Sequence, residues 1–162
     1  MKPTLPLLAL VWAALPVPAA AEFRSVEQSA ASLDCASCIS AVSKALHRLR
    51  GVDSVELVPE RNLVRVGLKP DNRVRLEEIR DALKGVGFAP TEARVRARGR
   101  AVAGQGQWQF QIEGLERPYG LSIDAEKRSR LVAGELVILE GIVPPVSDPR
   151  AQPVLQVSAV NP

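Results

Sequence analysis

The two cysteines of this chain, Cys35 and Cys38, are the residues whose type and spacing best suit chemistry. They are separated by two residues and directly precede an apolar pattern with a helical period. Side chains at i and i+3 in a first helical turn lie on one side of the helix, about 5–6 Å apart at Cβ. The free N–H groups and the dipole at a helix N-terminus favour negative charge and lower the pKa of a thiol. The pair therefore suits either the binding of one soft metal ion or exchange between dithiol and disulfide.

The number of ligands restricts the choice of metal. Structural zinc sites have four Cys or His ligands, whereas this chain has two cysteines and one histidine. That residue, His47, lies nine positions after Cys38, which is more than ~13 Å along a helix, so we expect an exposed side chain and not a ligand. Two thiolates suit an ion that accepts near-linear coordination, and copper(I) fits because it prefers thiolate. Such a site stays open to a third thiolate, so the ion can pass to a partner without leaving sulfur.

Apolar patterns on both sides of the cysteines predict the elements that position them. In chain order these are a weakly patterned strand within 22–33, a helix 37–51, strands 52–57 and 64–68, a helix 76–86 and a strand 88–96. The order β-α-β-β-α-β predicts an α+β fold, a ferredoxin-like sandwich.

Four short motifs in this order resemble the heavy-metal-associated domain family over about residues 24–96. They are Leu33-Asp34-Cys35-Ala36-Ser37-Cys38, Gly51-Val52-Asp53-Ser54-Val55, Val64-Arg65-Val66 and Gly85-Val86-Gly87-Phe88. The resemblance implies that Cys35 and Cys38 are the metal ligands and that Phe88 stands against the metal loop. It also adds mercury(II) and silver(I) as alternative cargoes. The partner that it implies is a metal transporter or another metal-binding domain, reached by thiolate exchange.

Residues beside the cysteines are expected to support the site. Ser37 or Asp34 caps the helix, and Leu33 and Phe88 shield the loop from water. The family usually has Met at the position of Leu33. Leucine can supply the same buried anchor there.

Two other uses of the same cysteines stay open, namely a thiol–disulfide oxidoreductase and a structural disulfide. No aromatic residue directly precedes Cys35, and a hairpin separates the two helices, which is not the order expected of thioredoxin-like chemistry. No Ser/His/Asp set, phosphate loop or carboxylate pair stands out in the sequence. We therefore expect a carrier and not an enzyme.

Residues 1–21 are predicted to be a secretory signal peptide. Lys2 is followed by an apolar segment over residues 5–17, and Ala19-Ala20-Ala21 offers a cleavage site before Glu22. An uncleaved membrane anchor is the alternative, which three prolines and the short length disfavour. Lys2 is the only basic residue of this segment, so 20 Lys and Arg remain against 18 Asp and Glu. We expect a periplasmic or secreted protein without a nucleic-acid partner and without stable membrane insertion of the mature chain.

The predicted domains are a heavy-metal-associated domain over 22–98, a Gly/Ala-rich linker over 99–106 and a small β-barrel over 107–162. The stretch from Gly134 to Val143 resembles a strand pair of exported OB-like barrels. Trp108, Phe110 and Tyr119 are assigned to its core. In the alternative they line a face that docks a partner, and the protein acts through interactions of its barrel.

Four arginines alternate with small residues near the end of the first predicted domain. They are Arg94, Arg96, Arg98 and Arg100, and on a strand they share one face. The last strand of the proposed sheet lies at an edge, where charges prevent edge-to-edge pairing. A docking stripe for an acidic partner is the alternative.

Overall fold

The computed structural model describes residues 22–31, 36–104, 106–148 and 150–161. Its elements are β1 (Glu22–Ala30), α1 (Ala36–His47), β2 (Val52–Val58), a 3-10 turn (Pro59–Arg61), β3 (Leu63–Leu68), α2 (Leu76–Gly85), β4 (Pro90–Ala103), β5 (Trp108–Gln111), β6 (Tyr119–Ser122), α3 (Ala125–Arg128), β7 (Leu136–Val143) and β8 (Val154–Asn161). The predicted signal peptide lies outside the described residues. None of the helices described is long and apolar enough to cross a membrane.

The first half of the chain confirms the predicted α+β, ferredoxin-like order. Its strands follow the order β2-β3-β1-β4 and pair antiparallel, while α1 and α2 contact each other and the sheet. The helical stripes supply fully buried side chains to the core, among them Val42, Leu46, Ile79 and Leu83. Helix α1 ends at His47, earlier than the predicted end at Gly51.

Strand β4 is longer than predicted and is not at a sheet edge. It pairs with β1 through residues 90–98, with β7 through 93–100 and with β5 through 100–103. The predicted linker is therefore wrong over residues 99–103, and the predicted boundary at residue 98 falls inside a strand. Two of the small residues that suggested a linker, Gly99 and Ala101, are buried in the core, and a Cβ added to Gly99 would lie 2.7 Å from Cζ of Phe110. Gly99 is small because an aromatic ring packs on it.

The second half of the chain forms a closed ring of five strands, β4-β5-β6-β8-β7, in which β7 pairs back to β4. The β6–β8 pair is parallel and the other pairs are antiparallel. Residues from Gly134 to Val143 contribute one strand, β7, and not the expected strand pair. Phe110 and Tyr119 are buried as assigned, and Trp108 is half-buried against the same core. One continuous core therefore joins the ring to the first half.

The four arginines of β4 share one face, as the alternation predicts, but the edge interpretation is wrong because β7 covers that edge. Arg96 forms an ion pair with Glu140 of β7 at 3.3 Å. Arg100 donates a hydrogen bond from Nη1 to the carbonyl of Gly134 at 2.9 Å. Arginine on this face therefore ties β4 to β7 and to the segment before it.

Gly51 lies in the turn after α1, where the fold of the first half leaves no room for a side chain. Its φ is +106°, and an added Cβ would lie 2.8 Å from Cβ of Asn72. Asn72 is buried and donates from Nδ2 to the carbonyls of Phe23 and Lys69 at 2.8 Å. We expect Gly51→Ala to lower the free energy of unfolding by about 2 kcal/mol, because both the backbone and the asparagine must shift. Urea unfolding followed by circular dichroism measures the change.

Gly85 is the matched control, since a Cβ added there meets nothing within 4 Å and the residue ends α2. Gly85→Ala should leave stability unchanged or raise it by up to about 1 kcal/mol. Equal losses in the two variants would contradict the role given to Gly51.

Candidate metal site at the start of the first helix

Cys38 is the third residue of α1. Its side chain is half-buried and packs against the core, whereas that of the preceding Ser37 is exposed. A cysteine in the first turn lies where the helix dipole and free N–H groups stabilise a thiolate. Leu33, Asp34 and Cys35 lie outside the described residues, so the roles expected of these three residues stay predictions.

Cys38 is disulfide-bonded, and no cysteine among the described residues is free. The chain contains one other cysteine, Cys35. Because a thiolate is the form of cysteine that binds metal, Cys38 must be reduced before it can act as a ligand.

Phe88 owes its inward position to the way α2 ends. The N–H of Phe88 donates to the carbonyl of Leu83 at 3.0 Å, and the N–H of Gly87 donates to that of Lys84 at 3.0 Å. With Gly87 at φ +91°, these bonds form a Schellman motif, which reverses the chain and returns the next side chain to the helix. Phe88 is 7% exposed and belongs to the core against which Cys38 packs. The motif Gly85-Val86-Gly87-Phe88 thus has a structural cause, and a role for Phe88 beside a metal stays a prediction.

The other candidate ligand behaves as expected, since His47 ends α1 with an exposed side chain. Within the part of the chain that the structure describes, no three His, Cys, Asp or Glu residues are grouped so that they could hold a metal ion.

The sequence analysis missed a buried polar group centred on Arg80. Arg80 is 7% exposed, and its Nε donates to Oε1 of Gln28, itself fully buried, at 3.2 Å. Its Nη2 donates to the carbonyls of Thr91, Val143 and Pro144 at 3.2, 2.8 and 3.2 Å. Burial lowers the pKa of Arg80 from its ordinary value. One signal was available: Arg80 lies at i+4 from Leu76 and beside Ile79, within the apolar stripe of α2.

Two comparisons of the sequence with known proteins identify relatives of this chain. The model of the heavy-metal-associated domain matches residues 29–89. A copper chaperone, CopZ of Staphylococcus haemolyticus (strain JCSC1435), is 38% identical over 56 residues, which are 35% of this chain and 81% of that protein.

Two solved structures are similar over less than half of this chain. A copper-binding domain of a P-type ATPase is 25% identical over 44% of this chain and 92% of its own, with a TM-score of 0.38. The first domain of the human copper chaperone for superoxide dismutase, in its copper(I)-loaded form, is 28% identical over 42% and 89%, with a TM-score of 0.36. With TM-scores this low, family membership rests on the sequence matches.

The first half of the chain is a small α+β domain with a cysteine in the first turn of its first helix. The match of residues 29–89 and the similarity to the copper chaperone show that the chain belongs to the heavy-metal-associated domain family.

Proposed function

We propose that this protein binds copper(I) through the thiolates of Cys35 and Cys38 and transfers it to the thiolates of a partner. The observation that carries the proposal is the position of Cys38, half-buried in the first turn of α1, in a chain that belongs to this family. Its relative is named a copper chaperone, which favours copper(I) over the alternative cargoes mercury(II) and silver(I). The partner is a metal transporter or another metal-binding domain, and the protein acts as a carrier and not as an enzyme.

Transfer follows from the low number of ligands. Two thiolates hold copper(I) in a two-coordinate arrangement that a third thiolate can enter. The incoming sulfur forms a three-coordinate intermediate, one of the original sulfurs leaves, and the ion moves without becoming free. Phe88 and Leu33 limit access of water to the loop. Ser37 is the second residue of α1 and therefore lies inside the helix, so the predicted N-cap role of Ser37 is wrong and the role of Asp34 as the cap stays a prediction.

The oxidation state of the cysteines controls loading. The disulfide of Cys38 must accept two electrons and two protons to give two thiols. Binding of the metal ion then displaces the thiol protons. We propose that the protein acts in the periplasm or outside the cell, as its N-terminal segment favours, where an oxidising environment maintains disulfides. A reducing partner is therefore part of the cycle.

We also propose that the ring of β4, β5, β6, β8 and β7 is an OB-like barrel, which shares strand β4 and the hydrophobic core with the first half of the chain. Two features support this proposal, namely the five strands and the short helix α3 between β6 and β7. The role of the barrel is to dock the partner that receives the metal.

A second candidate function is thiol–disulfide exchange, which the disulfide of Cys38 favours. In that case the reduced protein would reduce disulfides of other proteins, and copper(I) would be incidental.

One experiment compares the oxidised and reduced protein. Each sample is mixed with copper(I) under anaerobic conditions, and the copper retained after gel filtration is measured. We expect about one copper ion per reduced chain, little copper on the oxidised chain, and full recovery after re-reduction, because only thiolates bind the ion. Reduction of insulin disulfides by the same sample is measured in parallel. Equal retention by both forms, or rapid insulin reduction without copper binding, would contradict the proposal.

A further inference from the structure

A cavity of about 560 Å³ lies between α2, the loop from β5 to β6 and the loop from β7 to β8. It is lined by residues of both halves of the chain, among them Arg80 of α2, Tyr119 of β6 and Pro153 just before β8. Its volume is within the range of small-molecule sites. The cavity is separate in sequence from the cysteines, and the metal proposal does not use it.

Tyr119 directs a hydrogen-bond donor into this cavity. The residue is 3% exposed, and its ring packs edge-on against Phe23 with 6.0 Å between the ring centroids. Its hydroxyl makes no hydrogen bond to the described residues, and none of their buried side-chain oxygens or nitrogens lacks a partner. The hydroxyl must therefore reach the cavity surface. Burial is the main cause that raises the pKa of Tyr119 well above its ordinary value, so the group stays protonated and donates.

Arg80 supplies further donors. Its Nε and Nη2 are used by Gln28 and by three carbonyls, as described above. Its Nη1 has no partner among the described residues, so both of its hydrogens are free for a group in the cavity. No carboxylate of the described chain forms an ion pair with this guanidinium. The hydroxyl of Tyr119 and the guanidinium of Arg80 thus both line this cavity as hydrogen-bond donors. Because one of them is cationic, they favour a ligand that has a negatively charged acceptor.

The surrounding charges limit the size of that negative charge. Glu77, exposed on α2, lies near enough to affect the pKa values of both Arg80 and Tyr119. Arg75 pairs with Glu78 at 3.4 Å and Lys84 with Asp81 at 3.2 Å. In all, five basic and four acidic side chains line the cavity, which leaves a net charge of +1: Arg73, Arg75, Arg80, Lys84 and Arg117 against Glu77, Glu78, Asp81 and Glu116. A monoanion is therefore favoured over a dianion such as phosphate.

We propose that this cavity binds a small organic monocarboxylate with an apolar body, whose oxygens accept hydrogen bonds from Tyr119 and Arg80. Leu115, Val146 and Pro153 line the remainder of the cavity and contact the apolar part. The planar guanidinium and the hydroxyl suit the two oxygens of one carboxylate.

Benzoate is the probe for this site, with its neutral analogue benzamide as control. Calorimetric titration of the protein should detect benzoate binding in the millimolar range and at least tenfold weaker binding of benzamide. Tyr119→Phe removes only the hydroxyl and should weaken benzoate binding about tenfold or more, as expected for a hydrogen bond to a charged group. Because that hydroxyl has no partner in the fold, the melting temperature of Tyr119→Phe should equal that of the parent.

Glu77→Gln tests the charge argument in the opposite direction. It should tighten benzoate binding several-fold and allow inorganic phosphate to bind, while Glu60→Gln on the remote β2–β3 turn should change neither. The proposal is overturned if benzoate fails to bind the parent, if benzamide binds equally well, or if Tyr119→Phe binds benzoate unchanged. None of these results bears on copper(I), so failure here is distinct from failure of the proposed function.

Discussion

Replacing Arg80 with alanine is expected to lower the free energy of unfolding by about 3–5 kcal/mol. The side chain is 7% exposed and holds the amide oxygen of Gln28 and the carbonyls of Thr91, Val143 and Pro144. Alanine leaves these acceptors without their donor, at about 1–3 kcal/mol for each group that stays buried, and also leaves a cavity. Since the acceptors belong to β1, β4 and the end of β7, the loss should loosen the contact between the two halves of the chain.

Arg94→Ala is the matched control for this prediction. Arg94 is exposed on β4 and forms no ion pair with the residues that the structure describes, so its removal should change stability by no more than about 0.5 kcal/mol. Urea unfolding of the parent and both variants, followed by tyrosine and tryptophan fluorescence, gives the comparison. If the two alanine variants lose equal stability, the role assigned to Arg80 is wrong.

The order of elements in the first half could be predicted because all of them except the weakly patterned β1 carry a clear local signal. Helix α2 has an apolar stripe closed by Gly85 and Gly87, and the β2–β3 hairpin has two alternating runs around a turn. These signals act over a few residues and do not depend on distant parts of the chain. The β-α-β-β-α-β order followed from them.

Strand β4 could not be predicted at its full length because its C-terminal part is defined by distant partners. Its pairing with β7 joins residues 93–100 to residues 136–143, and closure of the ring depends on this non-local contact. Gly99 resembles a linker residue in the sequence, but in the fold its small size accommodates Phe110. The local composition predicted a linker, whereas packing against distant residues makes this segment part of a strand.

Arg80 shows a second limit of sequence reasoning. A charged residue is usually assigned to the solvent-exposed side of a helix, even when its position falls within the apolar stripe. Its burial depends on four acceptors that come from three distant segments of the chain. The candidate metal site, by contrast, could be predicted from the sequence, because two cysteines three positions apart at the start of a helix are a local signal.

Replacing either cysteine with serine is expected to cause a large loss of copper(I) affinity. Cys35→Ser and Cys38→Ser each remove one of two proposed ligands, and serine offers a hard oxygen that copper(I) does not prefer. Loss of an outer-shell partner alone typically costs 10–100-fold in metal affinity. Loss of a ligand from a two-ligand site should therefore cost more than about 100-fold. Ser37→Ala, which changes the exposed residue between them, should change the affinity by less than about tenfold.

The most direct test is an anaerobic titration of the reduced protein with copper(I) in competition with a chromophoric chelator. The parent, the two single serine variants, the double serine variant and Ser37→Ala are compared, and mercury(II) is titrated in parallel. The account predicts one tightly bound copper(I) ion per chain in the parent and in Ser37→Ala, and loss of that site in every cysteine variant. If the double serine variant binds copper(I) as tightly as the parent, Cys35 and Cys38 are not the metal ligands, and the proposed carrier mechanism is contradicted.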